Sequence, residues 1–323
     1  MVKKAKEMEK LIVIGDMHFS DVFKGSHLNY KESSYKLMER VREILKEEKA
    51  DGVLFLGDFI GVSEKNIRSR KYFLDVVKFL QELNEEYDGN VYSLLGNHDI
   101  GSYAVTDMEL LGELGLYKNP KFFDISSTRF HLVNFGQEDG VLEKSPQSNV
   151  IFAHNEFKLN VEDTMFSKDA IFLGDQLNWE GADLLIVGHI HTPSPEFEVG
   201  RVGSGTISML YTGAPSRVSE RIDDCWYVVF EKQEDGHVDY EVKRFGLWPI
   251  EEEFIEVKTQ DEKELEKEKK LQEMSLRKII GELQQSKLLT GSLMGQIDLF
   301  PSVSDETKEL AKVYLEKSIE LIK

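Results

Sequence analysis

The sequence predicts an α/β (α+β) fold, built as a layered sandwich with two sheets inside and helices outside. Short apolar runs bounded by glycine recur through residues 11–191, and such runs are typical of buried strands. Segments with helical periodicity lie between the first runs, and strands that alternate with helices favour parallel neighbours. Further strand-like segments follow in the second half of the chain, which favours a second sheet.

Five apolar runs are the clearest strand candidates. They cover residues 11–14, 53–56, 91–95, 150–153 and 184–187. Apolar residues at helical spacing predict one helix over residues 35–49 and another around residues 73–80. Aromatic and β-branched residues predict additional strands within residues 122–135 and 208–211.

The C-terminal third begins with a predicted β-hairpin. Residues 226–231 and 237–245 read as strands, and Asp235-Gly236 between them is a good hairpin turn. After about Trp248 the composition changes, and residues 251–270 are dense in charges of both signs, as expected for a solvated helix or linker.

Two apolar stripes follow, within residues 276–283 and 311–322, and such helical faces must bury against something. They either pack on their own domain or dock onto the helices of a partner. The predicted organisation is therefore a core over residues 1–215, a β-rich extension or capping segment over 216–250, and a charged linker with C-terminal helices over 251–323.

Composition limits the classes of function. The net charge of −19 would repel nucleic acid on average, because nonspecific binding depends on Lys and Arg contacts to phosphates. The single cysteine, Cys225, excludes an internal disulfide and fits a reducing compartment. No signal peptide and no membrane-spanning stretch are recognised, so a cytoplasmic protein without a membrane partner is expected.

Each of the five apolar runs leads into residue types that bind metals. They are Asp16 and His18 after the first run, Asp58 after the second, Asn97, His98 and Asp99 after the third, His154 after the fourth, and His189 and His191 after the fifth. Polar residues at the carboxyl ends of buried strands can converge on one crevice. The repeated order of apolar run, then ligand, therefore predicts one site.

The chemistry of this set favours divalent metal. Besides His98 it offers two carboxylates, one amide oxygen and four imidazoles, which suit manganese, iron(II) or zinc better than a soft metal. Seven ligands are too many for one tetrahedral ion but suit two ions that share one bridging carboxylate. Two such ions, about 3.5–4 Å apart, can stabilise both oxygens of an in-line displacement at phosphorus.

Single motifs of this kind carry little information. Gly174-Asp175 also follows an apolar stretch, and we assign it no metal role. His27, His131 and His237 fall outside the pattern and are interpreted as ordinary histidines. The information lies in the ordered combination of all five motifs.

That combination resembles the calcineurin-like metallophosphoesterase superfamily over roughly residues 10–215. The resemblance implies a four-layer α/β/β/α sandwich with residues 1–215 as catalytic core. It implies that Asp16, His18 and His191 bind one metal, that Asn97, His154 and His189 bind the other, and that Asp58 bridges them. His98 would be the general acid or transition-state stabiliser, with Asp99 as the partner that orients it.

Within the superfamily, the C-terminal half of the core resembles SbcD, the nuclease subunit of the SbcC–SbcD complex and its phage counterparts. The strings that carry this resemblance are residues 188–193 (GHIHTP) and 211–215 (YTGAP). It implies a DNA nuclease whose C-terminal helices bind a coiled-coil ATPase, and it suggests a homodimer; manganese is the expected metal. Gly61 stands where SbcD-type chains usually have Asp, and Phe19-Ser20 replaces Leu-Gly.

Other interpretations stay open at this stage. The alternative enzyme is a small-molecule phosphodiesterase or phosphatase that acts alone. For either enzyme, Fe²⁺, Zn²⁺ and Mg²⁺ are alternatives to Mn²⁺. A binding scaffold without turnover is a third class, against which the intact ligand set argues. Arg68 and Arg70 belong to a basic cluster after the second motif, which either contacts substrate or starts a solvated helix.

Overall fold

The computed structural model describes residues 7–21, 29–61, 66–101, 105–137, 148–158, 171–172, 182–200, 206–216, 224–249 and 308. The chain divides into two compact units, Met1–Glu256 and Val257–Lys323, and all elements named below belong to the first. The predicted C-terminal helices lie outside the described residues, apart from the helical Lys308.

Strands and helices alternate in the first part of the chain, as the apolar spacing predicts. The elements are β1 (Lys10–Ile14), α1 (Tyr30–Glu47), β2 (Gly52–Phe55), α2 (Arg70–Glu86), β3 (Val91–Ser93) and α3 (Asp107–Glu113). Among the described residues, the elements that follow are strands. They are β4 (Phe122–Ile125), β5 (Thr128–Val133), β6 (Ser148–His154), β7 (Phe157–Lys158), β8 (Ile171–Phe172), β9 (Leu184–Gly188), β10 (Ser194–Gly200), β11 (Thr206–Tyr211), β12 (Trp226–Lys232) and β13 (Val238–Arg244).

Two mixed sheets form the framework. In the described part of the chain, the first sheet has the order β13-β12-β1-β2-β3 and the second has the order β10-β11-β9-β6-β5-β4, beside a small β7-β8 pair. The strands β1, β2 and β3 run parallel, as do β5, β6, β9 and β11. Antiparallel pairs are formed by β12 with β1 and β13, by β4 with β5, and by β10 with β11. Parallel strands end at the same edge of a sheet, so the polar residues that follow them are brought together.

The core confirms the mixed α/β sandwich. Along β1, Leu11 and Val13 belong to the apolar cluster between the sheets, whereas Ile12 and Ile14 belong to the cluster under the helices. This alternation follows from the two-residue period of a strand whose two faces are both buried. Residues on the outer face of the second sheet, such as Leu185, are also buried; the fourth layer predicted there lies outside the described residues.

Helix α1 begins five residues before the predicted start. Its N-cap is Asn29, whose side chain accepts a hydrogen bond from the backbone N–H of Glu32. Two polar residues of the first turns are buried against the loop after β1: the hydroxyl of Tyr30 donates to the carbonyl of His18, and that of Ser34 donates to the carbonyl of Ser20. Because these side chains are polar, the apolar spacing does not detect them.

Helix α3 was not predicted. It is only seven residues long, too short to show apolar periodicity. A sequence signal was nevertheless present, because Thr106 and Glu109 form a capping box at its N-terminus.

The predicted C-terminal hairpin is present as β12 and β13. Its turn contains Gly236 at a φ of 85°, and the backbone N–H of Gln233 donates to the carbonyl of His237. The segment 216–250, predicted as a β-rich extension or capping segment, contains β12, which pairs with β1 along the whole length of β1. The hairpin therefore completes the first sheet, a long-range pairing that local sequence does not reveal. Among the described residues, no helix is long and apolar enough to cross a membrane.

Glu48, at the end of α1, forms hydrogen bonds with this hairpin, so its contribution to the free energy of unfolding can be predicted. Its carboxylate accepts hydrogen bonds from Tyr227 at 2.8 Å and from Lys243 at 3.0 Å. Burial alone would raise the pKa of Glu48, but the Lys243 and Tyr227 hydrogen bonds hold it below the ordinary value. We expect Glu48→Gln to lower the free energy of unfolding at pH 7 by about 1 kcal/mol, the usual worth of such a bond.

The stabilisation by Glu48 is expected to decrease as the pH falls. Because the folded-state pKa of Glu48 is lowered, its stabilisation is present above the unfolded-state value of 4.5 and is lost as the pH falls through the folded-state value. Urea unfolding at several pH values measures this, with Glu47→Gln as control because the Glu47 side chain is 62% exposed. An equal loss of unfolding free energy in both variants would contradict the role given to the Glu48 hydrogen bonds. A loss in Glu48→Gln that persists at low pH would contradict it as well.

Candidate metal centre

The structure brings together metal-binding side chains from five separate segments. Asp16, His18 and His191 form one group, in which one potential ligand atom of each lies within 4.8 Å of the others. Asp58, His154 and His189 form a second group within the same limit. These residues follow β1, β2, β6 and β9 or end them, so the convergence predicted from the apolar runs is confirmed. Their roles as ligands remain predictions.

Asn97 and Asp58 complete the arrangement. The amide oxygen of Asn97 lies 3.0 Å from Nδ1 of His189 and 3.3 Å from Nε2 of His154. Oδ2 of Asp58 lies 3.3 Å from Nε2 of His154 and 3.9 Å from Nε2 of His18. Asp58 therefore lies between the two groups, where a bridging carboxylate would have to be.

Backbone carbonyls set the tautomers of two histidines. Nδ1 of His18 donates to the carbonyl of Gly61 at 2.6 Å, and Nδ1 of His154 donates to the carbonyl of Leu56 at 2.7 Å. A carbonyl oxygen only accepts, so each Nδ1 carries a hydrogen, and in the neutral ring Nε2 keeps its lone pair. This is the arrangement that orients a histidine towards a metal. Gly61, which departs from the SbcD pattern, thus supplies its carbonyl instead of a side chain.

Three of these residues have a strained backbone. His18, Asp58 and His189 have φ values of 45°, 44° and 77°, in the left-handed region that residues with a Cβ rarely adopt. Each such residue costs about 1–3 kcal/mol and is retained only where its surroundings hold it, most often at functional sites. Here the backbone N–H of His18 donates to the carbonyl of Asp58, and that of His189 donates to Oδ2 of Asp16.

Burial and mutual charge dominate the electrostatics. Burial raises the pKa of Asp16 to about 8, and its Oδ1 is buried without a hydrogen-bond partner. Burial lowers the pKa of His18 to about 4 and that of His191 to about 3, so both rings are neutral at pH 7. Burial opposes the charged form of His154, yet the carboxylates of Asp58 and Asp16 raise its pKa to about 9.

These features fit divalent ions. Two buried carboxylates with an unpartnered oxygen need positive charge nearby, and neutral imidazoles with free lone pairs are metal ligands. The donors are oxygens and imidazole nitrogens, as manganese, iron(II) and zinc sites use. The two clustered groups thus have the chemistry of a dinuclear divalent-metal centre.

Gly57 and Gly96 allow the loops to approach closely. Gly57 has a φ of 99°, and a Cβ there would lie 2.6 Å from Nδ1 of His154. A Cβ at Gly96 would overlap the carboxylate of Asp58. Both glycines lie between the end of a strand and a predicted ligand.

Gly57→Ala gives a test of this crowding. We expect the affinity for Mn²⁺ to fall by about 10–100-fold, because the new methyl group displaces the His154 ring. The matched control is Gly115→Ala, since Gly115 also has a positive φ, of 69°, but no atom lies within 4 Å of its added Cβ. Isothermal titration calorimetry measures both variants, and an equal loss of affinity in both would refute the crowding account.

The predicted catalytic pair is close to the centre. The His98 ring is half-buried and lies edge-on to His18 with ring centroids 5.3 Å apart. Asp99 is buried, and its carboxylate accepts hydrogen bonds from the backbone N–H groups of Phe59, Ile60 and Gly96. A bond from Asp99 to the His98 ring is not among the hydrogen bonds found for these two described residues, so that orienting role remains a prediction.

Phe135 lies at the centre but is not among the residues predicted from the sequence. Its half-buried ring lies beside His189 and His154, with centroid distances of 5.8 and 6.3 Å. The signal was present, because Phe135 and Asn134 follow the strand β5 as the predicted ligands follow theirs. Asn134 also belongs to the framework, since its side-chain oxygen accepts a hydrogen bond from the backbone N–H of Leu95.

Arg68 and Arg70 are exposed at the start of α2. The backbone N–H groups of Arg68 and Ser69 donate to the carboxylate of Asp21, which follows the loop that contains His18. The basic segment is thus tied to a loop of the centre, and its contact with substrate remains a prediction. His131 bonds to Asn149 inside the core and His237 pairs with Asp239 on the surface, outside the centre as expected.

Comparison with known proteins agrees with this chemistry. The calcineurin-like phosphoesterase family matches residues 9–193, more than half of the chain, and the chain belongs to that family. The family implies a hydrolase of phosphoesters with metal-binding residues, and together with the two clustered groups it indicates a dinuclear divalent-metal centre. Among curated proteins no match is found.

Solved structures similar to this chain include two phosphoesterases. One is an uncharacterised predicted phosphoesterase from Streptococcus pneumoniae TIGR4, with 19% identity over 76% of this chain and 95% of that chain and a TM-score of 0.33. The other is the purple acid phosphatase PPD1 from yellow lupin seeds, with 12% identity over 76% of this chain and 53% of that chain and a TM-score of 0.46.

Proposed function

We propose that this chain is a manganese-dependent phosphodiesterase, and that its substrate is DNA. The observation that carries the first part is the pair of largely buried ligand groups, with Asp58 of the second group also 3.9 Å from Nε2 of His18 in the first. In this proposal Asp16, His18 and His191 hold one ion, Asn97, His154 and His189 hold the other, and Asp58 contacts both. Divalent ions bound there supply Lewis acidity to a phosphoryl group and lower the pKa of water towards neutrality.

His98 supplies the proton in this proposal. Its ring is half-buried next to His18, and its backbone N–H donates to Oδ1 of Asp58 at 2.8 Å, which fixes its position relative to the predicted bridge. A half-buried imidazole beside the predicted metal centre can donate a proton to the leaving-group oxygen. Because the ring is partly exposed, it can then take up a new proton from water. The Phe135 ring lies beside the rings of His154 and His189.

The choice of DNA rests on the SbcD resemblance and on one contact in the structure. The backbone N–H of Ala214 donates to the carbonyl of His191 at 3.0 Å, so the two strings that carry the resemblance lie against each other. The net charge of −19 opposes DNA binding by the chain alone. We therefore propose a partner, an SbcC-like coiled-coil ATPase that provides the positively charged DNA track, with both proteins in the cytoplasm.

The charge also favours a second candidate. A small-molecule phosphodiesterase needs no basic surface beyond the bound ions, which restore positive charge only at the centre. Arg68 and Arg70 then contact the small substrate or none at all. The two candidates share the metal centre and differ in substrate and partner.

Hydrolysis of linear double-stranded DNA by the purified chain in Mn²⁺ separates them. EDTA and His98→Ala are the controls, and bis(p-nitrophenyl) phosphate is run in parallel. DNA degradation that needs both Mn²⁺ and His98 supports the nuclease. Diester cleavage with intact DNA, in the presence of a candidate ATPase as well as without it, supports the small-molecule enzyme.

Deleting residues 262–323 tests the partner. We expect the truncated chain to hydrolyse bis(p-nitrophenyl) phosphate at the rate of the full chain and to lose binding to the ATPase. A hydrolysis assay and co-purification measure the two effects, and circular dichroism shows whether the truncated chain is folded. A core that no longer folds would assign these residues a structural role and refute partner docking.

A further inference from the structure

We infer that Asp99 is a positioning residue that fixes the loop of Asp58 against the loop of Asn97, and so sets the spacing of the two metal positions. The inference rests on the proposed metal centre. It assigns Asp99 a role different from orienting His98.

The contacts of Asp99 carry the inference. Its side chain is buried, with 1% of the residue exposed. Oδ2 accepts hydrogen bonds from the backbone N–H groups of Gly96 at 2.9 Å and Phe59 at 3.2 Å, and Oδ1 accepts one from Ile60 at 3.1 Å. One carboxylate thus joins the loop after β2 to the loop after β3.

Asp58 makes the reciprocal connection. Its Oδ1 accepts the backbone N–H of His98 at 2.8 Å, so each loop gives a carboxylate to the backbone of the other. Hydrogen bonds from backbone N–H to a carboxylate are stronger than those between neutral groups. We call the two carboxylates with their four backbone donors the reciprocal clamp.

The clamp holds a strained segment in place. Gly57 and Asp58 have φ values of 99° and 44°, so the chain turns sharply just before the donors Phe59 and Ile60. On the other loop, the donors Gly96 and His98 lie on either side of Asn97. Holding these four N–H groups fixes where the Asp58 carboxylate and the Asn97 amide point.

Asp99 is itself anchored from outside the centre. The hydroxyl of Thr106, the N-cap of α3, donates to the carbonyl of Asp99 at 2.8 Å. Asp99 therefore connects the N-terminus of α3 to both loops. Among the described residues, its carboxylate accepts hydrogen bonds from backbone N–H groups and from no predicted metal-ligand side chain. Its effect on a metal ion passes through Asp58 and Asn97.

Asp99→Asn separates this role from an orienting role. The amide keeps the volume but replaces one acceptor oxygen by a donor, which cannot accept a backbone N–H. We expect the weaker of two Mn²⁺ ions to bind about 10–100-fold less tightly, the usual effect of losing an outer contact to a ligand. We also expect the electron paramagnetic resonance signal of coupled Mn²⁺ pairs to fall, in the wild-type and in the His98→Ala background alike.

The orienting role makes the opposite prediction. If Asp99 acts through the His98 ring, Mn²⁺ binding is unchanged in Asp99→Asn, and the loss of turnover disappears once His98 is Ala. The full chain is used, freed of metal and titrated with Mn²⁺ alone. Asp51→Asn is the matched control, because the Asp51 carboxylate also accepts two backbone N–H groups, from Glu9 and Lys10, at the amino end of the first sheet.

A second variant keeps the inference testable if Asp99→Asn does not fold. Thr106→Val removes the hydroxyl that anchors Asp99 and preserves the side-chain shape. Weaker Mn²⁺ binding in Thr106→Val, with Asp51→Asn unchanged, supports the clamp, and unchanged binding overturns it. If the wild-type chain binds no pair of Mn²⁺ ions, the proposed metal centre and the proposed role of the clamp are both refuted. If the wild-type chain and Asp99→Asn bind the pair of ions equally well, only the role of the clamp is refuted.

Discussion

Replacing His98 by Ala is expected to leave Mn²⁺ binding intact and to lower the turnover of a phosphodiester by about two to four orders of magnitude, the usual contribution of a general acid. The ring lies beside His18 but belongs to neither ligand group, so its removal leaves all seven predicted ligands in place. The hydrogen bond from residue 98 to Asp58 is made by the backbone, so alanine preserves it.

The measurement is kcat for bis(p-nitrophenyl) phosphate together with Mn²⁺ stoichiometry on the same samples. His237→Ala is the control, because His237 is on the surface and pairs with Asp239. A better leaving group needs less help from an acid, so the deficit should shrink with substrates of lower leaving-group pKa. Loss of both Mn²⁺ ions in His98→Ala would contradict the role proposed for this residue.

Asp58→Asn is expected to have the larger effect, with loss of one or both Mn²⁺ ions and activity at the background level. Asp58 is the predicted ligand between the groups, with Oδ2 3.3 Å from His154 and 3.9 Å from His18. Burial alone would raise its pKa, but His154 and His18 hold it below the ordinary range, so the group is a carboxylate at neutral pH. An amide carries no charge with which to hold two cations together.

Metal analysis after desalting measures this effect, with unfolding curves to show that the variant is folded. The matched control is Asp21→Asn, since the Asp21 carboxylate also accepts hydrogen bonds from backbone N–H groups but belongs to neither ligand group. Two firmly bound Mn²⁺ ions in Asp58→Asn would show that this residue is not the bridge.

The strands and the predicted ligands could be found from sequence because one physical cause produces both signals. A parallel strand buried on both faces is an unbroken apolar run, and the residue after it must face the crevice, as Asp16 and Asp58 do. No alignment is needed to see this pattern, because it lies in the order of residue types along one chain.

Other features depend on contacts that local sequence does not contain. The start of α1 is polar on its buried side because Tyr30 meets the backbone of His18. The pairing of β12 with β1 joins segments more than 200 residues apart, so no local pattern predicts it. The three backbone donors around Asp99 come from two loops, and only the fold shows that they meet.

The most direct test of the central claim is a titration of the metal-free chain with Mn²⁺ while hydrolysis of bis(p-nitrophenyl) phosphate is followed. The dinuclear account predicts two bound ions per chain and activity that rises only as the second ion binds. Full activity after one equivalent, or activity that persists in EDTA, would contradict it.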